Sequence, residues 1–86
     1  FGNTTIGVIA TDAALTREEA NKLASMAHDG LAMAIRPVHT SMDGDTIFGV
    51  STCALPQQPL LPILAAAPTV MAMAVLDAVK SAEKHA

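Results

Sequence analysis

The chain has 86 residues, a net charge of -3 with five basic residues, 51% hydrophobic but only 2% aromatic residues, and one cysteine. That length allows at most one domain. The scattered basic residues argue against a nucleic-acid surface, and the lone Cys53 excludes an internal disulfide and suits a reducing, cytoplasmic compartment. So much small apolar surface on so short a chain is hard to hide inside itself, so the composition implies cover from another chain or another copy. The first residue is Phe1 rather than methionine, as expected of a processed subunit or a piece of a longer protein.

The first element is a strand over Thr5 to Ala10, ending at Thr11-Asp12. Ile6, Val8 and Ile9 favour β structure, and apolar residues on both alternating faces point to an interior strand covered on both sides. Gly7 inside it suggests close approach by another backbone or a ligand. Thr16-Arg17-Glu18-Glu19 has the form of a capping box and opens a helix that runs to about Ile35. Ala20, Leu23, Ala24, Ala27, Leu31, Ala34 and Ile35 form one apolar stripe, while Arg17, Lys22 and Asp29 point elsewhere. Its small residues would let the helix lie close on a sheet. Pro37 ends the helix, with Arg36 biased toward an extended conformation before it.

Pro37 to Asp45 is a turn-rich connection with Asp43-Gly44-Asp45 at its tip. Thr46 to Thr52 reads as a second strand; the sequence leaves its direction relative to the first open. Cys53 to Pro68 carries four prolines and is read as an irregular, covered segment. The last helix is expected to open at Pro68 or Thr69. Val70 to Val79 is apolar nearly all round and is expected to be buried on more than one side. Lys84 and His85 suit the negative end of the helix dipole. The apolar stretch Leu60 to Leu76 is slightly short of the roughly 20 residues a membrane span needs, and is read as buried protein, not membrane. The order is β-α-β-loop-α, with no internal repeat and no domain boundary.

Three groups of residues invite chemistry. Asp43 and Asp45, two residues apart across a glycine, are either a converging pair that orients a nucleophile or the solvated ends of a polar turn. They lack a third ligand at a recognisable spacing, so neither a metal nor a cofactor is expected. His28, His39 and His85 read as hydrogen-bonded structural histidines, with His39 the best placed near a site. Cys53 has no activating neighbour and reads as a buried, inert thiol.

Thr4 is the third. Inside a chain its hydroxyl is a poor nucleophile. At a free N-terminus its own α-amine, with an ordinary pKa of about 7.7–8, can act as general base. Thr4 and the Asp43/Asp45 turn would form one site if the two strands lie side by side.

Gly2-Asn3-Thr4-Thr5-Ile6-Gly7-Val8-Ile9-Ala10-Thr11-Asp12, Met26-Ala27-His28-Asp29-Gly30-Leu31-Ala32, Ile35-Arg36-Pro37-Val38-His39-Thr40 and Asp43-Gly44-Asp45-Thr46 together carry a family resemblance. Over roughly its first 50 residues the chain resembles the small subunit of the self-processing aminopeptidase/amidase family (peptidase S58, L-aminopeptidase D-esterase). This family includes the β-peptidyl aminopeptidases. Within it the chain is most similar to the 6-aminohexanoate-oligomer (nylon-oligomer) endohydrolase branch, which uses threonine where other members use serine.

The resemblance implies an α/β fold in which this chain is the small subunit of an α-β-β-α sandwich, like that of N-terminal-nucleophile hydrolases. It implies autocleavage between Asn3 and Thr4, an amide hydrolase acting through an acyl-enzyme on Thr4, and Asp43 and Asp45 as supporting carboxylates. It also implies a large α subunit from the same precursor, which supplies a lysine and an asparagine, and an amide or oligoamide substrate. The apolar excess adds the expectation of a higher oligomer of αβ pairs. Two other readings stand beside it: a self-cleaving acyltransferase of the ornithine-acetyltransferase type, and a non-catalytic α/β interaction module.

Overall fold

The computed structural model describes residues 5–34 and 45–84. In order they form β1 (Ile6–Thr11), α1 (Arg17–Ala34), β2 (Thr46–Ser51) and α2 (Leu60–Lys84). β1 and β2 pair in parallel, with Ile6 opposite Thr46 and Thr11 opposite Ser51. That settles the direction the sequence left open. A parallel pair needs a crossover, and α1 supplies it.

α1 starts where the capping box places it. The Thr16 N–H donates to Glu19 Oε1 at 2.9 Å, and the Glu19 N–H donates to Thr16 Oγ1 at 3.2 Å. These reciprocal bonds satisfy two amides that the first turn would otherwise leave open. The predicted stripe is the buried one: Leu23, Ala24, Ala27 and Leu31 are buried, whereas Arg17, Lys22 and Asp29 are exposed. The expected stop at Ile35 to Pro37 lies outside the described residues.

The helices cover one face of the sheet. On that face Ile9 and Ile47 join Leu23, Ala27, Leu31, Ala67 and Met71 in the core. Two glycines make the close packing possible. A Cβ on Gly49 would run into the Ala20 carbonyl oxygen of α1, and a Cβ on Gly30 into the Pro68 carbonyl oxygen of α2 and, at 2.7 Å, Met71 Cβ. Gly7, the glycine singled out in the sequence, is not such a point. A Cβ there would meet only Met71 Cε at 3.5 Å and Ile47 Cγ1 at 3.6 Å, ordinary contacts.

Among the described residues nothing covers the opposite face. Ile6 is 70% exposed, Val8 61% and Phe48 56%. β1 is therefore not covered on both sides by the described residues, although its sequence is that of a strand that should be.

The last third of the chain differs most from expectation. α2 begins at Leu60, eight residues before Pro68, and runs 25 residues with Pro68 inside it. Pro62 lies in the first turn, where a backbone N–H has no helical partner to lose. Pro68 does remove an interior bond. The helix continues through it because this is where α2 packs on Gly30, and tertiary packing outweighs local propensity there. Nor is the stretch from Val70 to Val79 buried on several sides. Met71 and Ala72 are buried, but Val70, Met73, Leu76 and Val79 are all at least half exposed. By length and composition α2 could cross a membrane, and only 17% of its most apolar window is buried in this chain.

At the carboxyl ends of the strands, backbone and side-chain bonds tie two loops together. Ser51 Oγ donates to the Ala13 carbonyl at 2.7 Å and accepts from the Leu15 N–H at 3.1 Å, while the Leu55 N–H donates to the Asp12 carbonyl at 2.8 Å. Cys53 follows, exposed, with φ at 56°. This left-handed residue turns the chain out of β2 and leaves its thiol at the surface, not buried as the sequence suggested. Its Sγ lies 3.3 Å from Ser51 Oγ. The Ser51 hydrogen is already committed to Ala13, so the thiol is the donor in that pair.

Candidate active site

The amino ends of the two strands come together, and one candidate site residue, Asp45, lies at that point. The parallel register sets Ile6 opposite Thr46, which leaves Thr5 and Asp45 beside each other, one residue before each strand. The Thr46 N–H donates to the Thr5 carbonyl at 2.9 Å. In return the Thr5 N–H donates to Asp45 Oδ1 at 3.3 Å. The carboxylate therefore caps the amide of the bond that joins Thr4 to Thr5. Its other oxygen, Oδ2, is buried, although Asp45 as a whole is only partly covered. A carboxylate held by a backbone N–H at the start of a strand is fixed in position, unlike one on a solvated turn.

Asn3, Thr4, His39, Asp43 and His85 lie outside the described residues. The structure therefore brings together the neighbour of one candidate, Thr5, and one of the two candidate carboxylates, Asp45. His28 is half-buried on α1. Among the described residues no three histidine, cysteine, aspartate or glutamate side chains cluster as a metal site.

Two hollows flank the sheet. The first, of about 330 Å³, begins at Thr5 and runs along the outer edge of β1 beneath the second half of α2; its lining is apolar apart from Thr5. The second, of about 220 Å³, lies at the carboxyl ends among Ala14, Leu15, Thr16, Glu19 and Gln57. Open parallel sheets usually bind ligands at their carboxyl ends. Here that end is tied up: Glu19 and Thr16 are engaged with each other, and Ser51 bridges the loops. The Thr5 amide and the Asp45 carboxylate meet at the amino end instead.

The sequence pointed to this end through the Asp43-Gly44-Asp45 turn. It missed the part played by Thr5, whose amide holds the carboxylate, and the hollow beside β1. Thr5 could have been found from the register alone, since a parallel pair that starts at Ile6 and Thr46 must place residues 5 and 45 side by side.

An uncharacterized aminopeptidase of Mycobacterium leprae is 44% identical over 98 aligned residues, which cover 98% of this chain and 27% of that protein. An uncharacterized aminopeptidase of Mycobacterium tuberculosis is 56% identical over 57 residues, 66% of this chain and 17% of its own length. A 6-aminohexanoate-oligomer endohydrolase of Paenarthrobacter ureafaciens is 45% identical over 51 residues, 59% of this chain and 14% of its own. The chain thus spans about a quarter or less of the length of these relatives. Residues 2–86 match peptidase family S58, and the chain belongs to that family.

Proposed function

We propose that this chain is the small, nucleophile-bearing part of an amide hydrolase that processes itself. In this reading Thr4 Oγ attacks the Asn3 carbonyl, the acyl group shifts from nitrogen to oxygen, and water hydrolyses the resulting ester. Thr4 is left with a free α-amine. That amine then takes the Thr4 hydroxyl proton as Oγ attacks a substrate amide carbon. The carbon–nitrogen bond breaks, the amine product leaves with a proton, and water releases the acid from the Thr4 ester. Asp43 and Asp45 orient the hydroxyl and the ammonium. The donors for the oxyanion come from the large subunit of the same precursor.

The observation that carries this reading is the bond from the Thr5 N–H to Asp45 Oδ1. It fixes a carboxylate one peptide unit from a threonine, at the amino end of a paired strand, in a chain of a peptidase family. The names of the relatives support a substrate class: amides of the 6-aminohexanoate-oligomer or aminopeptidase kind. The bare sheet face formed by Ile6, Val8, Phe48 and Val50 supports a second sheet laid against it, which would complete an α-β-β-α sandwich. The exposed outer side of α2 supports a higher oligomer of αβ pairs.

The test uses the full-length protein with 6-aminohexanoate oligomers and aminoacyl anilides as substrates. Thr4→Ser is expected to retain hydrolysis and Thr4→Ala to lose it; full activity in Thr4→Ala would refute the nucleophile. Asp45→Asn keeps an oxygen for the Thr5 amide but removes the charge. It is expected to slow turnover by about 10²–10⁴, and a wild-type rate would remove Asp45 from the mechanism.

A further inference from the structure

We infer that the sheet is extended at the outer edge of β1, in the groove beneath the second half of α2, by a strand from the remainder of the polypeptide. This rests on the proposed large subunit and specifies where it docks. Three observations converge on that edge.

The first is backbone alternation. The Thr5 and Thr11 carbonyls accept from Thr46 and Thr52 of the β2 side. In a strand the N–H and C=O of one residue point the same way and reverse at the next. Thr5, Gly7, Ile9 and Thr11 therefore address β2, and the amides and carbonyls of Ile6, Val8 and Ala10 point to the outer edge. Among the described residues no strand lies beyond it. An unpaired strand edge of this kind is a ready template for pairing with another segment.

The second is the placement of the helices. α1 lies mainly over β2, whereas α2 packs chiefly against α1. The second half of α2 overhangs the edge of β1 and leaves the 330 Å³ hollow between Gly7, Leu31, Met71, Val75 and Val79. Over β2 the described residues leave no such gap, because Ala20 of α1 closes directly onto Gly49. The hollow has no charged lining, so the incoming strand presents apolar side chains toward α2.

The third is the missing length. Where 98% of this chain aligns with a relative, it accounts for only 27% of that protein. Most of the polypeptide of such a protein is thus available to supply the strand. Addition of a strand to an exposed edge is a common way for an extended segment to dock: main-chain bonds hold it and alternate side chains fill the groove.

The experiment is made on the full-length, assembled protein by residue-resolved amide hydrogen exchange. The amides of Ile6, Val8 and Ala10 are expected to exchange at least about a hundredfold more slowly than exposed loop amides such as Gln57, as amides bonded within a sheet do. In parallel, a photo-reactive benzoylphenylalanine at Val79, which lines the hollow and is 52% exposed, is expected to cross-link to a segment outside these 86 residues. Loop-like exchange at all three amides overturns the proposal, whether or not Val79 tolerates substitution. A cross-link to a second copy of this chain also overturns it. Either result, obtained with a protein that cleaves itself and hydrolyses amide, would leave the proposed function standing and remove only the strand.

Discussion

The two helices are both apolar along one side, yet they differ in how much of their burial this chain provides. α1 is amphipathic, capped by Thr16 and Glu19, and closed against the sheet by Leu23, Ala27 and Leu31. α2 is apolar nearly all round and has no acidic residue in its first turn. It buries Ala67, Met71 and Ala72 and leaves Leu61 at 78% exposure and Met73 at 64%. α1 therefore finds its packing partners among the described residues, whereas much of the apolar surface of α2 is left uncovered by them. The strands repeat the contrast: Ile9 and Ile47 are buried under the helices, while Ile6, Val8 and Phe48 face outward.

The sharpest way to break this comparison is to charge the outer side of α2. Met73 and Leu76 lie three residues apart and share a face. The double change Met73→Glu and Leu76→Glu is expected to dissociate the assembled protein, since a buried carboxylate without a partner is strongly unfavourable. Light scattering would show the loss; an unchanged assembly mass would mean that this side of α2 faces water.

On α1, Leu31→Ala should destabilise by about 2–5 kcal/mol in denaturant unfolding, as expected for a fully buried leucine. Gly30→Ala comes next, at about 1–3 kcal/mol, because the new methyl group meets backbone of α2 that cannot step aside. Its control is Gly7→Ala, where the neighbours are the flexible end of Met71 and a methylene of Ile47. That change is expected to cost less than about 1 kcal/mol, and equal effects at the two glycines would erase the distinction between them. The smallest effect is at the cap: Thr16→Ala should cost about 1 kcal/mol, read as a modest fall in unfolding midpoint.

What could be read from the sequence follows the same division. The start of α1 was legible because Thr16 and Glu19 satisfy each other locally, and its buried stripe because its periodicity is one-sided. The start of α2 was not. Pro68 argues locally against a helix interior, and only the packing on Gly30 overrides it. Gly30 itself was a signal left unused, since a glycine on the buried stripe of a helix marks a place where another backbone comes close. That the chain holds more apolar surface than it can hide was legible in its composition, but not that α2 carries much of it, because an all-round apolar helix looks the same whether or not its partners share its chain. At the site, spacing singled out two aspartates, of which Asp45 lies among the described residues, but the grip of the Thr5 amide on Asp45 depends on a parallel register that the sequence did not determine.

The central claim, that Thr4 becomes an N-terminal nucleophile, is tested most directly by the intact mass of the full-length protein after expression. The expected result is two polypeptides, the smaller beginning at Thr4, in the wild type, and one uncut polypeptide in Thr4→Ala. A wild-type protein that hydrolyses amides while remaining a single chain across Asn3 and Thr4 would contradict it.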